Sequence, residues 1–156
     1  MKKHANAQSN IMMLELVIVI GFFAVISTFI MRMFLAANEA QSNADRLSRA
    51  TVLAESSLEC ILGAESPEEA YRKLGLNKVT ENGGEVYAAY YDEDWNTSLV
   101  SSEYTLKVYR TDETSEESPY VILSAYRLVV EEETDDGTEE IYTLSTKQYR
   151  RSSADE

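Results

Sequence analysis

The feature that most constrains this chain is a long apolar run, from residue 11 to residue 31, that contains a single ionisable residue, Glu15. As a helix rising about 1.5 Å per residue, the run covers about 30 Å, the thickness of a membrane's hydrocarbon core. A charged side chain at the bilayer centre costs about 2.5–3.5 kcal/mol on insertion scales. The nearest cations, Lys3 and Arg32, lie beyond the ends of the run. We therefore expect the run to span a membrane and Glu15 to find a partner on another helix.

The residues around Glu15 follow a specific pattern. A short leader with two lysines precedes a few apolar residues, and then comes Glu-Leu-Val-Ile-Val-Ile at positions 15–20. This pattern resembles the amino-terminal segment of type IV pilins and pseudopilins, and the resemblance covers about the first third of the chain. It implies a minor structural subunit of a type IV pilus, type II secretion or competence-type filament. It also implies a pilin-like fold, in which one long helix carries a small sheet.

The same resemblance implies roles for three positions and a set of partners. A prepilin peptidase would cut after Asn10, leaving Ile11 as a methylated amino terminus. Glu15 would pair with the freed amino group of a neighbouring subunit's Ile11. Asn10 stands where the family carries glycine, and Arg32 stands where it carries proline. The implied partners are other pilin or pseudopilin subunits, the peptidase, an assembly platform with its ATPase, and the membrane.

Two other interpretations of the amino end follow from the residues alone. In the first, the leader is retained, and the chain is a single-pass anchor for an extracytoplasmic binding domain. In the second, a general signal peptidase cuts near Ala36 and Ala37, but Leu35 occupies the place where a small residue is needed. A short positive leader of this kind implies a cytoplasmic amino terminus, with the carboxy-terminal domain outside the cytoplasm. Because Lys2 and Lys3 are balanced by Arg32, Arg46 and Arg49 on the other side of the run, this orientation rests mainly on the resemblance.

The helix is predicted to continue well beyond the apolar run, because residues 33–62 contain neither proline nor glycine. Apolar and small residues recur there at spacings of three and four, which predicts a buried face. That face consists of Leu47, Thr51, Ala54, Leu58 and Ile61. Ser66, Pro67 and Glu69 form a capping-box pattern that predicts a short second helix.

From residue 77 the period changes to two, and β-branched and aromatic residues become frequent. Four strands are predicted, at 85–91, 103–110, 119–132 and 139–149, with a hairpin signal at Asp136 and Gly137. The predicted fold class is therefore α+β, a long helix packed against an antiparallel sheet of about four strands. The predicted segments are a leader at 1–10, a transmembrane half-helix at 11–37, an amphipathic half and second helix at 38–75, the sheet at 76–150 and a disordered tail at 151–156.

Composition narrows the classes of function. The net charge of −13 argues against a nucleic-acid binder, since there is no basic patch to neutralise phosphates. The single histidine, His4, lies in the leader, and the single cysteine, Cys60, has no histidine near it in sequence. Cys60 is interpreted as a small, buried apolar residue. We therefore expect a structural or binding protein and no enzyme.

One acidic segment suggests a metal site. Asp92, Asp94, Asn96 and Glu103 match the first, third, fifth and twelfth places of a calcium-binding loop of the EF-hand kind. Thr97 occupies the sixth place, where such loops carry glycine. Some pseudopilins bind calcium in the sheet domain, so the resemblance also implies calcium as a possible cofactor. No other cofactor is expected. The alternative is a solvated acidic loop.

A second acidic cluster surrounds the predicted hairpin. Like charges that face each other across a β-ladder destabilise it, so we expect the tip of this hairpin to splay apart and remain solvated. The alternative is a contact for a basic partner or a cation. The cluster consists of Glu131, Glu132, Glu133, Asp135, Asp136, Glu139 and Glu140.

Overall fold

The structure, a computed structural model, describes residues 3–81, 83–99, 102–115 and 118–151. Side chains are described for all of these except 3–10, 114–115, 118–121 and 150–151. The chain divides into two compact units, Met1–Ala44 and Asp45–Glu156. Helix α1, Lys3–Gly63, contributes residues to both units, and everything after it belongs to the second. The arrangement is the predicted α+β one.

The second unit is built around a five-stranded antiparallel sheet in which each strand pairs with the next one along the chain. Strands β2 to β5 confirm the four predicted strands, with changes at their ends. The strands are β1 Asn77–Glu81, β2 Gly84–Tyr91, β3 Tyr104–Ser115, β4 Ser118–Thr134 and β5 Gly137–Arg151.

The estimate of about four strands missed β1. This strand is five residues long, and Val79 is its only apolar residue, so it carries no alternating pattern. It is held by its pairing with β2, where Val79 lies opposite Val86. The connection to β2 is tight, because Glu81 pairs with Gly84 and Gly83 adopts a left-handed backbone with φ of +80°. Tertiary pairing, not local propensity, makes β1 a strand.

Regular secondary structure extends into the predicted segments at both ends of the chain. The predicted leader is helical from Lys3 onward and is continuous with the apolar run. At the other end, β5 includes Arg151, the first residue of the predicted disordered tail. The remaining tail residues, 152–156, lie outside the described part of the chain.

The core of the second unit lies between one face of the sheet and the helical residues from 45 onward. Alternate residues of each long strand point into it, as the period of two predicts. Its fully or almost fully buried members are Ala50, Ala54, Ile61, Ala70, Tyr71, Leu76, Ala89, Tyr91, Tyr104, Leu106, Val108, Tyr126, Leu128 and Val130.

The buried face of α1 differs from the predicted one. Leu47 is 47% exposed, whereas Ala50 and Ser57, which were not predicted, are buried. Ala54 and Ile61 are buried as expected. The predicted face is therefore correct toward the end of the helix, where Leu58 also packs against the core, and shifts to the small side chains of Ala50 and Ser57 elsewhere. Cys60 is half-buried and packs against this core.

Helix α2, Pro67–Lys73, follows the predicted capping pattern at its start. The backbone N–H of Glu69 donates to Ser66 Oγ at 3.3 Å, and the proline lies in the first turn. The Glu69 side chain pairs with Lys73 at 2.8 Å. Tyr71 of this helix is buried and stacks on Tyr87 with ring centroids 4.1 Å apart. The helix therefore closes one end of the core.

Candidate functional site

The apolar segment, defined as residues 11–35 of α1, is the first candidate site. Its large apolar side chains are exposed, from 37% at Ile26 to 70% at Val25. None of the described residues covers them, and by length and composition this helix is able to cross a membrane. So much contiguous apolar surface marks a contact with lipid or with other protein. The structure therefore bears out a single amino-terminal helix that is long and apolar enough to span a membrane.

Glu15 is the only charged residue of this segment before Arg32. One turn away on either side along the helix lie Ile11, Met12, Ile18 and Val19, all apolar and exposed. Among the described residues, no hydrogen-bond or ion-pair partner faces the exposed Glu15 carboxylate. Its partner must therefore come from outside this part of the chain if the segment lies in an apolar medium.

Asn10 and Ile11, the predicted processing positions, lie in continuous helix. The side chain of Asn10 lies outside the described residues, and that of Ile11 is exposed. Four residues separate Ile11 from Glu15, which is about 6 Å along the helix axis at 1.5 Å per residue. A neighbouring helix shifted by roughly one turn would bring its Ile11 amino group level with Glu15.

The loop proposed for calcium has a well-defined turn at its start. Asp92 Oδ1 accepts hydrogen bonds from the backbone N–H groups of Asp94, at 3.0 Å, and Asn96, at 2.8 Å. Trp95 adopts the left-handed backbone, with φ of 66°, two places before the position that glycine fills in a calcium loop. The backbone N–H of Glu103 donates to the Tyr91 carbonyl at 2.9 Å.

This geometry brings Asp92 and Asn96 together. Among the described residues, no group of three or more acidic, histidine or cysteine side chains is arranged to hold a metal ion. The Trp95 ring stacks on Tyr104, with centroids 4.1 Å apart. The loop thus has its own structural basis, an Asx-type turn closed by an aromatic stack.

The acidic hairpin does not splay as predicted. Glu131 pairs with Glu140 and Glu132 with Glu139, and the ladder continues to Thr134 opposite Gly137. Cations neutralise part of the cluster. Arg46 on α1 forms an ion pair with Glu132, and Lys107 on β3 lies 2.8 Å from Glu131. Glu133, Asp135, Asp136, Glu139 and Glu140 are exposed, as expected.

Lys107 is the centre of a charge network on the outer face of the sheet, the face opposite the core. Its Nζ contacts a carboxylate oxygen of Glu81 and one of Glu131, each at 2.8 Å. The Tyr109 hydroxyl donates to the other oxygen of Glu81 at 2.8 Å. These two donors hold the pKa of Glu81 below its usual value, and the two carboxylates raise the pKa of Lys107 in spite of its burial.

Glu81, Lys107 and Glu131 line a groove of about 380 Å³ together with the apolar residues Val79, Val86 and Ala88. Because the lysine is already neutralised from both sides, the groove offers no free cation to an anionic ligand. The network is best interpreted as structural.

Sequence reasoning missed the ion pair of Arg46 and Glu132, although both residues carried a signal. Glu132 continues the alternation of Tyr126, Leu128 and Val130, which places it on the core face. Arg46 lies four residues before the buried Ala50, on the same side of α1. Because the two patterns place a carboxylate and a guanidinium on the same core, together they indicate an ion pair between these residues.

Comparisons of the chain with protein-family models, with characterised proteins and with solved structures found no match.

Proposed function

We propose that this protein is a minor pilin-like or pseudopilin-like structural subunit, held in a membrane by the apolar segment until it joins a filament. The observation that carries the proposal is Glu15: one carboxylate, without a described partner, in a segment whose large apolar side chains are all exposed. A helix that served only as an anchor would be more stable in lipid without this carboxylate.

In the assembled state, the apolar segments of several subunits pack together, and Glu15 of each meets a positive group of its neighbour. After cleavage behind Asn10, that group is the free amino terminus of Ile11. An ion pair inside an apolar bundle adds little net stability, but a mismatched neighbour leaves a charge unpaired, so the pair fixes the register of the subunits.

The partners follow from this assembly. They are other subunits of the same kind, a prepilin peptidase, and a platform with its ATPase that extracts the subunit from the membrane. The amino terminus lies in the cytoplasm, and the unit Asp45–Glu156 lies outside it, at the cell membrane and then in the filament. The acidic surface keeps this displayed domain soluble and gives no phosphate contacts.

The alternative is an uncleaved single-pass anchor that presents the sheet domain as an extracytoplasmic binding module. Asn10 favours it, because the processing site of the resembled family carries glycine at this place. In this alternative, Glu15 makes a hydrogen bond to a neighbouring helix or reaches the headgroups.

The test compares the full chain with its Glu15→Val variant in the native membrane. Val19→Cys in a Cys60→Ser background places a single thiol one turn from Glu15, so that crosslinking reports helix contact. Glu39→Gln is the matched control, since Glu39 is an exposed acid on the same helix beyond the apolar segment. We expect Glu15→Val to keep membrane insertion and lose the crosslink, and Glu39→Gln to keep both. Undiminished crosslinking in Glu15→Val overturns the proposal.

A further inference from the structure

The outer face of the sheet carries a second groove, of about 620 Å³, which we name the Arg127 groove. It lies across the middle of β3, β4 and β5. In the strand pairing Arg127 stands opposite Ser145, and Ala125 stands opposite Lys147. The outer-face residues of its lining are Tyr109, Thr111, Ala125, Arg127, Ser145 and Lys147.

Arg127 is an accessible cation of this groove. Its guanidinium lies over the ring of Tyr109, 5.8 Å from the ring centroid, and the Tyr109 hydroxyl is itself held by Glu81. An aromatic face positions an arginine while its N–H groups stay free to bind a carboxylate. Glu140 contacts the guanidinium at 3.6 Å, but the two side chains are 58% and 48% exposed, so this pair is weak. Arg127 therefore has donors left for another carboxylate.

Lys147 is the second accessible cation. It has no hydrogen-bond or ion-pair partner among the described residues, although the chain has a net charge of −13. Each of the other lysines of the unit Asp45–Glu156 lies within 2.8 Å of a carboxylate oxygen; these are Lys73, Lys78 and Lys107. Lys147 and Arg127 occupy diagonal positions on adjacent strands, with Cβ atoms about 7 Å apart. The groove thus presents two cations to one ligand.

The turn that joins β4 to β5, residues 134–137, carries carboxylates that match these cations. We name it the hairpin tip. Asp135 and Asp136 are adjacent and exposed, and neither has a hydrogen-bond or ion-pair partner in the part of the chain that the structure describes. The tip projects beyond β3, because β3 begins at Tyr104, opposite Glu132. A narrow turn with two neighbouring carboxylates is complementary in charge to a groove with two cations.

We propose that the hairpin tip of one copy of this chain docks in the Arg127 groove of a second copy. Asp135 and Asp136 then meet Arg127 and Lys147. These residues cannot meet within one chain, because Asp135 lies eight residues beyond Arg127 on the same hairpin, about 26 Å along the strand. Both halves of the contact are thus present on every copy, and each is left without a strong partner in its own chain.

The geometry of this contact is head to tail. Two molecules of high like charge repel each other in general, so the two cations of the groove define where a second copy is attracted. Because the tip and the groove are different surfaces, each copy that docks leaves one of each free, and the contact builds an open row instead of a closed dimer. The contact goes beyond the proposed function, since it involves neither Glu15 nor the apolar segment.

The test uses the full chain in detergent micelles with Glu15→Val, which removes the proposed helix pairing. A carbodiimide joins an amine to a carboxylate only where the two are in contact, and a mixture of isotope-labelled and unlabelled chains identifies links between copies. We expect Lys147 to be linked to Asp135 or Asp136 of another copy. Lys78, which is exposed and pairs with Glu85, is the control and should give links within one chain only. Absence of the Lys147 link, or links from Lys147 to other carboxylates in its place, overturns the proposal.

A charge exchange shows whether the link reports this contact or general attraction. Arg127→Glu with Lys147→Glu makes the groove acidic, and Asp135→Lys with Asp136→Lys makes the tip basic. Each variant alone should lose the links between tip and groove about tenfold or more, because like charges then meet. In a mixture of the two variants, we expect links between the introduced lysines and the introduced glutamates.

The matched control for the basic tip is Glu93→Lys with Asp94→Lys, which places the same two charges on another exposed turn. Mixed with the acidic-groove variant, it should give none of the links between introduced lysines and introduced glutamates. Circular dichroism verifies that every variant is folded. Equal links from both lysine variants, or none from the basic tip, overturn the docking of the tip. Either result leaves the proposed function of Glu15 untouched.

Discussion

Arg46 of α1 and Glu132 of β4 form an ion pair across 86 residues of sequence, at the edge of the core. The Glu132 side chain is only 9% exposed and that of Arg46 35%. Both residues belong to the unit Asp45–Glu156, so the pair fixes the start of its helical part to the acidic end of the β4–β5 hairpin. Together with the ion pairs of Lys107 with Glu131 and of Arg127 with Glu140, it reduces the repulsion between glutamates that face each other in this hairpin.

Removal of Arg46 is expected to destabilise this unit. Arg46→Met leaves the buried Glu132 carboxylate without its cation, at a cost of about 2–3 kcal/mol, since the partial exposure of Arg46 reduces the full cost of a broken buried pair. Adding Glu132→Leu to Arg46→Met should recover most of the loss. Denaturant unfolding followed by Trp95 fluorescence measures both.

Arg49→Met is the control for Arg46→Met. Arg49 pairs with Asp45 at 2.9 Å, but both side chains are more than half exposed. Exposed pairs contribute about 0–1 kcal/mol, so this variant should unfold almost as the parent does. Equal losses in the two variants would mean that burial of Glu132 is not the cause.

The network of Glu81 and Lys107 predicts loss of stability in acid. The pKa of Glu81 is lower in the folded chain than its ordinary value of 4.5, so its contribution is complete above pH 4.5 and is lost as the pH falls through the folded value. Glu81→Gln should flatten the stability profile below pH 4.5. Glu113→Gln, an exposed acid on β3, should leave the profile unchanged. Urea unfolding at pH 3 to 7 measures this, and identical profiles for Glu81→Gln and the parent would contradict it.

We expect that the hydroxyl of Tyr126 can be removed without destabilising the folded chain. Tyr126 is 1% exposed, and its buried hydroxyl oxygen has no hydrogen-bond partner in the part of the chain that the structure describes. Tyr126→Phe removes this unsatisfied group and should be neutral or stabilising by up to about 1 kcal/mol. Tyr126→Ala should cost about 3–5 kcal/mol through the cavity that it leaves. A loss above about 1 kcal/mol in Tyr126→Phe would reveal a partner for the hydroxyl.

The hydrogen bonds of the Asp92 turn predict that Asp92 contributes more to stability than its neighbour Asp94 does. Asp92→Ala removes the acceptor of two backbone N–H groups and should cost about 0.5–1.5 kcal/mol per bond lost, whereas Asp94→Ala keeps the backbone bond and should cost little. Because Trp95 occupies the left-handed position, we expect calcium to leave the unfolding midpoint unchanged. A midpoint that rises with calcium and fails to rise in both variants would establish the metal site instead.

The sequence predicted those parts of the fold that repeat. The unbroken run to Gly63 and the alternation of Tyr104, Leu106 and Val108 specified the long helix and the core face of β3. Sequence patterns did not predict the features that depend on contacts between residues distant in sequence. β1 exists because β2 is beside it, and Ala50 is buried because large side chains of the sheet approach it.

The candidate functional site was also predictable only in part. An isolated Glu15 in an apolar run is visible in the sequence, and the structure adds that no described residue pairs with it. Lys107 gave no signal, since its neutralisation by Glu81 and Glu131 depends on the register of three pairs of strands.

The most direct test of the filament proposal is the amino terminus of the protein isolated from its native membrane, determined by intact mass and amino-terminal sequencing. We expect a chain that starts at Ile11 and carries an N-methyl group. A mature chain that still starts at Met1 contradicts processing into a filament subunit and leaves the anchored sheet domain as the account.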